Sequence, residues 1–140
     1  MGDGEPTLSI ALLSGTDDKL NAAALLAVGA AALGRTVDVL LQYWALDAFR
    51  DGNLTKDHGL APEAGPDGAA AVQRLAAEGG GQHWSAVLAQ AKELGDVRAH
   101  ACSLSMDLLG LTQGDLDPLV DDVEGVTAFM LAADGQLVSI

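Results

Sequence analysis

Hydrophobic positions along this chain fall into short runs separated by breaks rich in glycine and acid. Leu8-Ser9-Ile10-Ala11-Leu12-Leu13 is an apolar run ended by Ser14-Gly15, the pattern of a buried strand. Thr16-Asp17-Asp18 then offers an N-cap and puts two acids in a first helical turn, where the macrodipole favours them. From Lys19 to Leu33 the chain is mostly Ala and Leu, and Gly34 follows as a C′ residue, so a helix is predicted there. Its apolar residues run nearly all the way round, which suits a helix lying flat on a sheet. Thr36-Val37-Asp38-Val39-Leu40-Leu41 is a second strand with β-branched residues. Strand, helix and strand within about 35 residues make a βαβ unit, and hence a parallel sheet.

Tyr43-Trp44-Ala45-Leu46 follows at the C-terminal end of the second strand. Residues 51–81 then change character. Asn53, Asp57, Gly59, Pro62, Gly65, Pro66, Gly68 and Gly79-Gly80-Gly81 mark loops, interrupted by a short helix over Ala69 to Ala77. So long an excursion reads as a variable insertion, a lid or a subunit contact rather than plain linker. Trp84 to Leu94 is a helix ended by Gly95, and Val97 to Ala101 is the next strand. Ser103 to Leu109 is a helix stopped by Gly110, Asp115 to Leu119 a short turn, and Val123 to Ala133 the last helix. Gly135 turns the chain into a strand over Gln136 to Ile140, and no internal repeat is visible. The alternation predicts one α/β domain over residues 1–140. It is a three-layer sandwich, with a mainly parallel sheet of about five strands and helices on both faces.

Composition narrows the function classes. Seven bases against 20 acids give a net charge of −13, which opposes binding to nucleic acid or to anionic membranes. Aromatic residues are only 4% of the chain, so Ala, Leu and Val must build the core. The longest apolar stretch, Ala22 to Gly34, has 13 residues and falls short of the roughly 18 needed to span a bilayer. No integral membrane segment is expected. The opening Met1-Gly2-Asp3-Gly4-Glu5-Pro6 is acidic where a signal peptide is basic. A single cysteine, Cys102, excludes an intrachain disulfide and fits a reducing cytoplasm.

In a parallel α/β sheet, functional groups collect beyond the C-terminal strand ends. Ser14 to Asp18, Tyr43-Trp44 and Cys102-Ser103-Leu104-Ser105-Met106-Asp107 all fall there. Cys102 stands at a strand end and at the start of a helix, where free N–H groups and the dipole favour a thiolate. The alternative is an inert buried thiol. Ser105 occupies the second position of a Cys-x-x-Cys dithiol, Leu108 the arginine position of a phosphatase loop, and Ala99 the Thr/Ser position before a peroxidatic cysteine. His58, His83 and His100 show no zinc-ligand spacing with Cys102, so no metal is expected. His100 shares a strand face with Cys102 and either tunes the thiol, relays a proton or fills a sheet–helix interface. Asp17, Asp18 and Asp107 could orient or exclude anions, but acids at a helix start need no function to explain them. The Ser14-Gly15-Thr16 turn is weakly similar to a flavin phosphate loop, but the two carboxylates after it would repel a phosphate. Trp44 is expected in the core or as a pocket wall.

Ser14-Gly15-Thr16-Asp17-Asp18-Lys19-Leu20, Tyr43-Trp44-Ala45-Leu46 and Ala101-Cys102-Ser103-Leu104-Ser105-Met106-Asp107-Leu108-Leu109-Gly110 resemble the DsrE/DsrF-like sulfur-relay family. They occur in the family's order, and Val126 to Ile140 matches its closing helix and strand. The Cys-Ser-x-Ser-Met-Asp stretch is the specific part, and residues 51–81 lie outside the resemblance. The family implies a flavodoxin-related α/β sandwich that forms oligomers and needs no cofactor. Cys102 would hold sulfane sulfur as a persulfide and hand it to a small sulfur-carrier protein of the TusA type. His100, Ser103, Ser105, Asp107, Ser14 and Trp44 are the supporting candidates. A persulfide needs backbone donors, partial exposure and no neighbouring cysteine to resolve it into a disulfide. A thinly covered Ala-rich core and a long spare segment also predict a homo-oligomer, a trimer or dimer. Two other readings stand beside this one. The first is a structural or regulatory subunit with an inert cysteine; the second is a small-ligand module using Ser14 to Asp18.

Overall fold

The computed structural model describes residues 6–140; the acidic stretch Met1 to Glu5 lies outside the described residues. In chain order the elements are β1 (Leu8–Leu12), α1 (Asp17–Ala32), β2 (Val37–Leu41), α2 (Tyr43–Ala48), α3 (Gly65–Ala77), α4 (Trp84–Leu94) and β3 (Val97–Cys102). They continue with α5 (Ser103–Leu109), β4 (Asp122–Glu124), α6 (Val126–Ala132) and β5 (Gln136–Ser139). The five strands form one sheet in the order β4-β3-β2-β1-β5. Every neighbouring pair is parallel, which makes this an α/β fold.

Register decides which side chains share a face. Leu8, Val37 and Val97 lie side by side, as do Ile10, Val39 and Ala99. With Leu12, Leu41 and Ala101 they form a buried apolar cluster with α1 and α4. Six residues of α1 are buried there, Leu20 and five alanines. Alanine allows the helices to approach closely: a Cβ added at Gly95 would meet the Ala31 methyl at 3.3 Å. Residues of the alternate register face the other way. On that side Leu40, Cys102 and Phe129 of α6 form a separate small cluster. Helices therefore cover both faces, one heavily and one thinly.

Several boundaries differ from the sequence reading, each for a local reason. The predicted last helix is split in two. Residues 122–124 pair with β3 as a three-residue strand, and Gly125 takes the N-cap position of α6. Helix α3 begins at Gly65 rather than Ala69, with Pro66 and Asp67 in its first turn. Tyr43 to Ala48 is a helix that follows β2 directly, opened by Tyr43 at φ +47°. Thr16 holds the N-cap position of α1 but makes no side-chain capping bond. The turn predicted over Asp115 to Leu119 is a 3-10 turn at Gln113–Asp115, closed by reciprocal bonds between Thr112 and Asp115. Gly34 and Gly110 end their helices at positive φ, as read from the sequence. Among the described residues no helix is long and apolar enough to cross a membrane.

Candidate functional site

The sheet order brings the C-terminal ends of β1, β2 and β3 side by side, and with them Ser14, Trp44 and Cys102. Gly15 lets the first two loops touch, because any Cβ there would collide with the Trp44 carbonyl oxygen. Trp44 itself is 61% exposed, which corrects its expected place in the core. Ala45, Leu46 and Ala48 take the buried side of α2 instead. Ser105 is buried, and its Oγ accepts the Tyr43 N–H at 2.9 Å, tying α5 to the start of α2. Ser103 is exposed, with its Oγ 3.7 Å from where a Cβ at Gly125 would stand, so it borders the start of α6. Asp107 is exposed on the outer side of α5, and Ser14 is half-buried beside β5, its N–H directed at the Ile140 carbonyl.

Cys102 is the last residue of β3 and the N-cap residue of α5, as the sequence places it. The partial exposure expected of a persulfide-bearing thiol is not found. Cys102 is 1% exposed, sealed by Leu40 from β2 and Phe129 from α6. The last residue of a buried strand can face solvent only if nothing covers that face, and Phe129 of α6 covers it.

His100 lies two residues earlier on the same face, itself buried. Its Nε2 is 2.8 Å from an Asp38 oxygen on β2, and its Nδ1 is 2.5 Å from an Asp122 oxygen on β4. Glu124 adds a third carboxylate at 3.9 Å from Nδ1. Ionised carboxylates only accept, so both ring nitrogens donate and the ring is an imidazolium. Hydrogen bonding to Asp38, and then to Asp122, pushes the His100 pKa up to about 9, against the opposing cost of burial. With both nitrogens engaged, the ring has no free position from which to relay a proton. It ties three adjacent strands together.

The acids at the start of α1 do more than favour a helix. Asp17 accepts the Trp84 Nε1–H at 2.9 Å and the His58 N–H at 3.0 Å, while Asp18 accepts the Ala61 N–H at 3.1 Å. The Asp17 N–H donates to the Gly59 carbonyl at 2.8 Å. These bonds strap residues 57–61 across the helix start, where a ligand-binding turn would have needed free donors. Sequence reasoning missed this role because the partners lie more than 40 positions away. Between the strap and α3 lies a cleft of about 470 Å³, bordered by Asp17, Asp57, Leu60 and Val72. Helix α3 buries none of its own residues. Among the described residues no three His, Cys, Asp or Glu side chains are grouped to hold a metal ion.

No family model matches the chain. It is 29% identical to the uncharacterized protein YrkE of Bacillus subtilis (strain 168), over 90% of each chain. Among solved structures, the ychN protein from E. coli superposes with a TM-score of 0.57 at 15% identity, covering 96% of this chain and 98% of that one. A protein of unknown function from Methanobacterium thermoautotrophicum, MTH1491, superposes with a TM-score of 0.51 at 15% identity, covering 97% and 100%. These structural likenesses show the fold alone: an α/β domain built on a parallel five-stranded sheet.

Proposed function

We propose that the protein is a carrier in a sulfur relay, holding sulfane sulfur as a persulfide on Cys102. The observation that carries this reading is the position of the chain's lone thiol. In a DsrE-like sheet it ends β3 and opens α5, with no second cysteine to turn a persulfide into an intrachain disulfide. The Cys102 thiolate would attack the terminal sulfur of a polysulfide. A new S–S bond forms on Cys102, the polysulfide's own terminal S–S bond breaks, and a polysulfide shorter by one sulfur leaves with the electron pair. Delivery reverses the sense: a thiolate of a small carrier of the TusA type takes the outer sulfur and Cys102 leaves as thiolate. Such a free thiol suits the reducing cytoplasm. No cofactor is needed, because the sulfur moves between thiolates without net electron transfer to a third party.

The burial of Cys102 favours a second reading, a structural or regulatory subunit with an inert thiol. One experiment separates them. Native protein is exposed to polysulfide, and its intact mass is compared with that of Cys102→Ser. The carrier reading expects a gain of sulfur that is lost on reduction and absent from the variant. An equal mass gain in Cys102→Ser, or no gain in either protein, overturns it.

A further inference from the structure

Cys102 is covered by a segment that is firmly held at both ends and weakly held in between. Before it, the Asp121 N–H donates to the Ala99 carbonyl at 2.8 Å, and its carboxylate accepts the Ala99 N–H and a Lys92 ammonium proton. After it, Asp134 accepts the Thr7 N–H, and Gln136 begins β5, paired to β1. Between these fixed points β4 is a three-residue edge strand, and α6 buries one residue, Phe129. Val126, Met130 and Leu131 of α6 are all exposed. Phe129 is the side chain that meets Cys102 and Leu40. The other attachments join β4 to the strand carrying the thiol: the three-residue backbone pairing of β4 with β3, and the bond from His100 to Asp122.

We propose that residues 122–132 form a lid over Cys102, latched by the His100–Asp122 ion pair and by Phe129, and that it swings about Asp121 and Asp134 to admit a reactant. Opening breaks the three-residue edge pairing of β4 and uncovers little apolar surface beyond Phe129 and Leu40, whereas unfolding the α1 and α4 face would expose a whole core. Local opening therefore precedes global unfolding by a wide margin. The inference deepens the carrier reading by naming what regulates access to its thiol. It also accounts for a candidate nucleophile that is sealed in the closed chain.

The test is the rate of Cys102 alkylation by iodoacetamide in the folded protein at fixed pH. Wild type should react slowly, at a rate insensitive to low urea, because a local opening exposes little surface. Phe129→Ala should react roughly 10- to 100-fold faster, the range expected from removing one buried aromatic anchor. Asp122→Asn, which keeps the side chain's shape and removes the charge, should also react faster and serves should the first variant fold poorly. Thr127→Ala, on the same helix but exposed and outside its apolar group, should match wild type. Two results would overturn the lid: neither Phe129→Ala nor Asp122→Asn outpacing Thr127→Ala, or a wild-type rate that rises with urea as steeply as global unfolding. Alkylation requires no sulfur chemistry. A working lid in a protein that gains no sulfur from polysulfide, even as Phe129→Ala, would leave the lid standing and sink the carrier.

Discussion

The two faces of the sheet are built to different standards. Toward α1 and α4 the strands present Leu8, Ile10, Leu12, Val37, Val39 and Leu41, all buried, against two helices of 16 and 11 residues. Toward α6 they present Ser9, Asp38, Leu40, His100 and Cys102, met by one phenylalanine on a helix of seven residues. The first face resists opening because its apolar area leaves water all at once. The second holds polar groups and the thiol, and in the proposed lid its cover moves without disturbing the core. Stability and the proposed chemistry are thus separated by the thickness of one sheet. The sharpest way to break that division is to truncate one buried side chain on each face. Ile10→Ala should cost about 2–5 kcal/mol in urea unfolding, the range for a large-to-small change in a well-packed core. Leu40→Ala, equally buried but on the thin face, should cost less than half as much, because α6 can settle into the space. Equal costs would show that the two faces are packed alike.

The charged row on the thin face gives the next largest effect. The carboxylates of Asp38 and Asp122 raise the His100 pKa from the ordinary histidine value of 6.5 to about 9. Folding therefore favours its protonated form. That contribution is fully present below about pH 6.5 and is lost as pH rises through 9. Stability should fall by about 1–3 kcal/mol across this window, since each pKa unit corresponds to about 1.4 kcal/mol and the Asp122 end of the row is half exposed. His100→Gln should be less stable than wild type near pH 6 and should lose most of the dependence between pH 6.5 and 9. A wild-type curve that is flat there, or an unchanged slope in His100→Gln, would mean that the row does not tie the strands together.

What could be read from the sequence divides along the same line. Residues 8–41 were legible because the thick face is made by contiguous patterns: an apolar run, an alanine helix closed by Gly34, and a β-branched run. Cys102 was placed correctly at its strand end by Gly110 and the helix preceding it. Its burial was not legible, because the residue that seals it, Phe129, is 27 positions away on an element that the sequence reading extended back to Val123. Strand β4 is only three residues long and exists through pairing with β3, so no local periodicity announces it. The roles of Asp17 and His100 were hidden for a related reason. A carboxylate in a first helical turn and a histidine in a strand each have an adequate local explanation, and their real partners are fixed only by the tertiary fold.

The smallest effect on stability should come from the outer side of the lid, and it bears most directly on assembly. Leu131 is 87% exposed, with Met130 and Val126 exposed on the same helix and Leu137 on the neighbouring edge strand. An exposed apolar group of this kind is characteristic of a contact surface. We predict a homo-oligomer that uses this surface, covering the thin face with a second copy of the chain. Leu131→Ser should change the stability of the separated chain by no more than about 0.5 kcal/mol, as for other exposed positions. In light scattering, however, it should shift the protein from a dimer or trimer toward the mass of a single chain. Its unfolding midpoint should also lose the concentration dependence expected of the wild-type oligomer. A wild type that scatters as a single chain at every concentration would mean that α6 alone completes the thin face. In that case its weak cover belongs to the lid and to nothing larger.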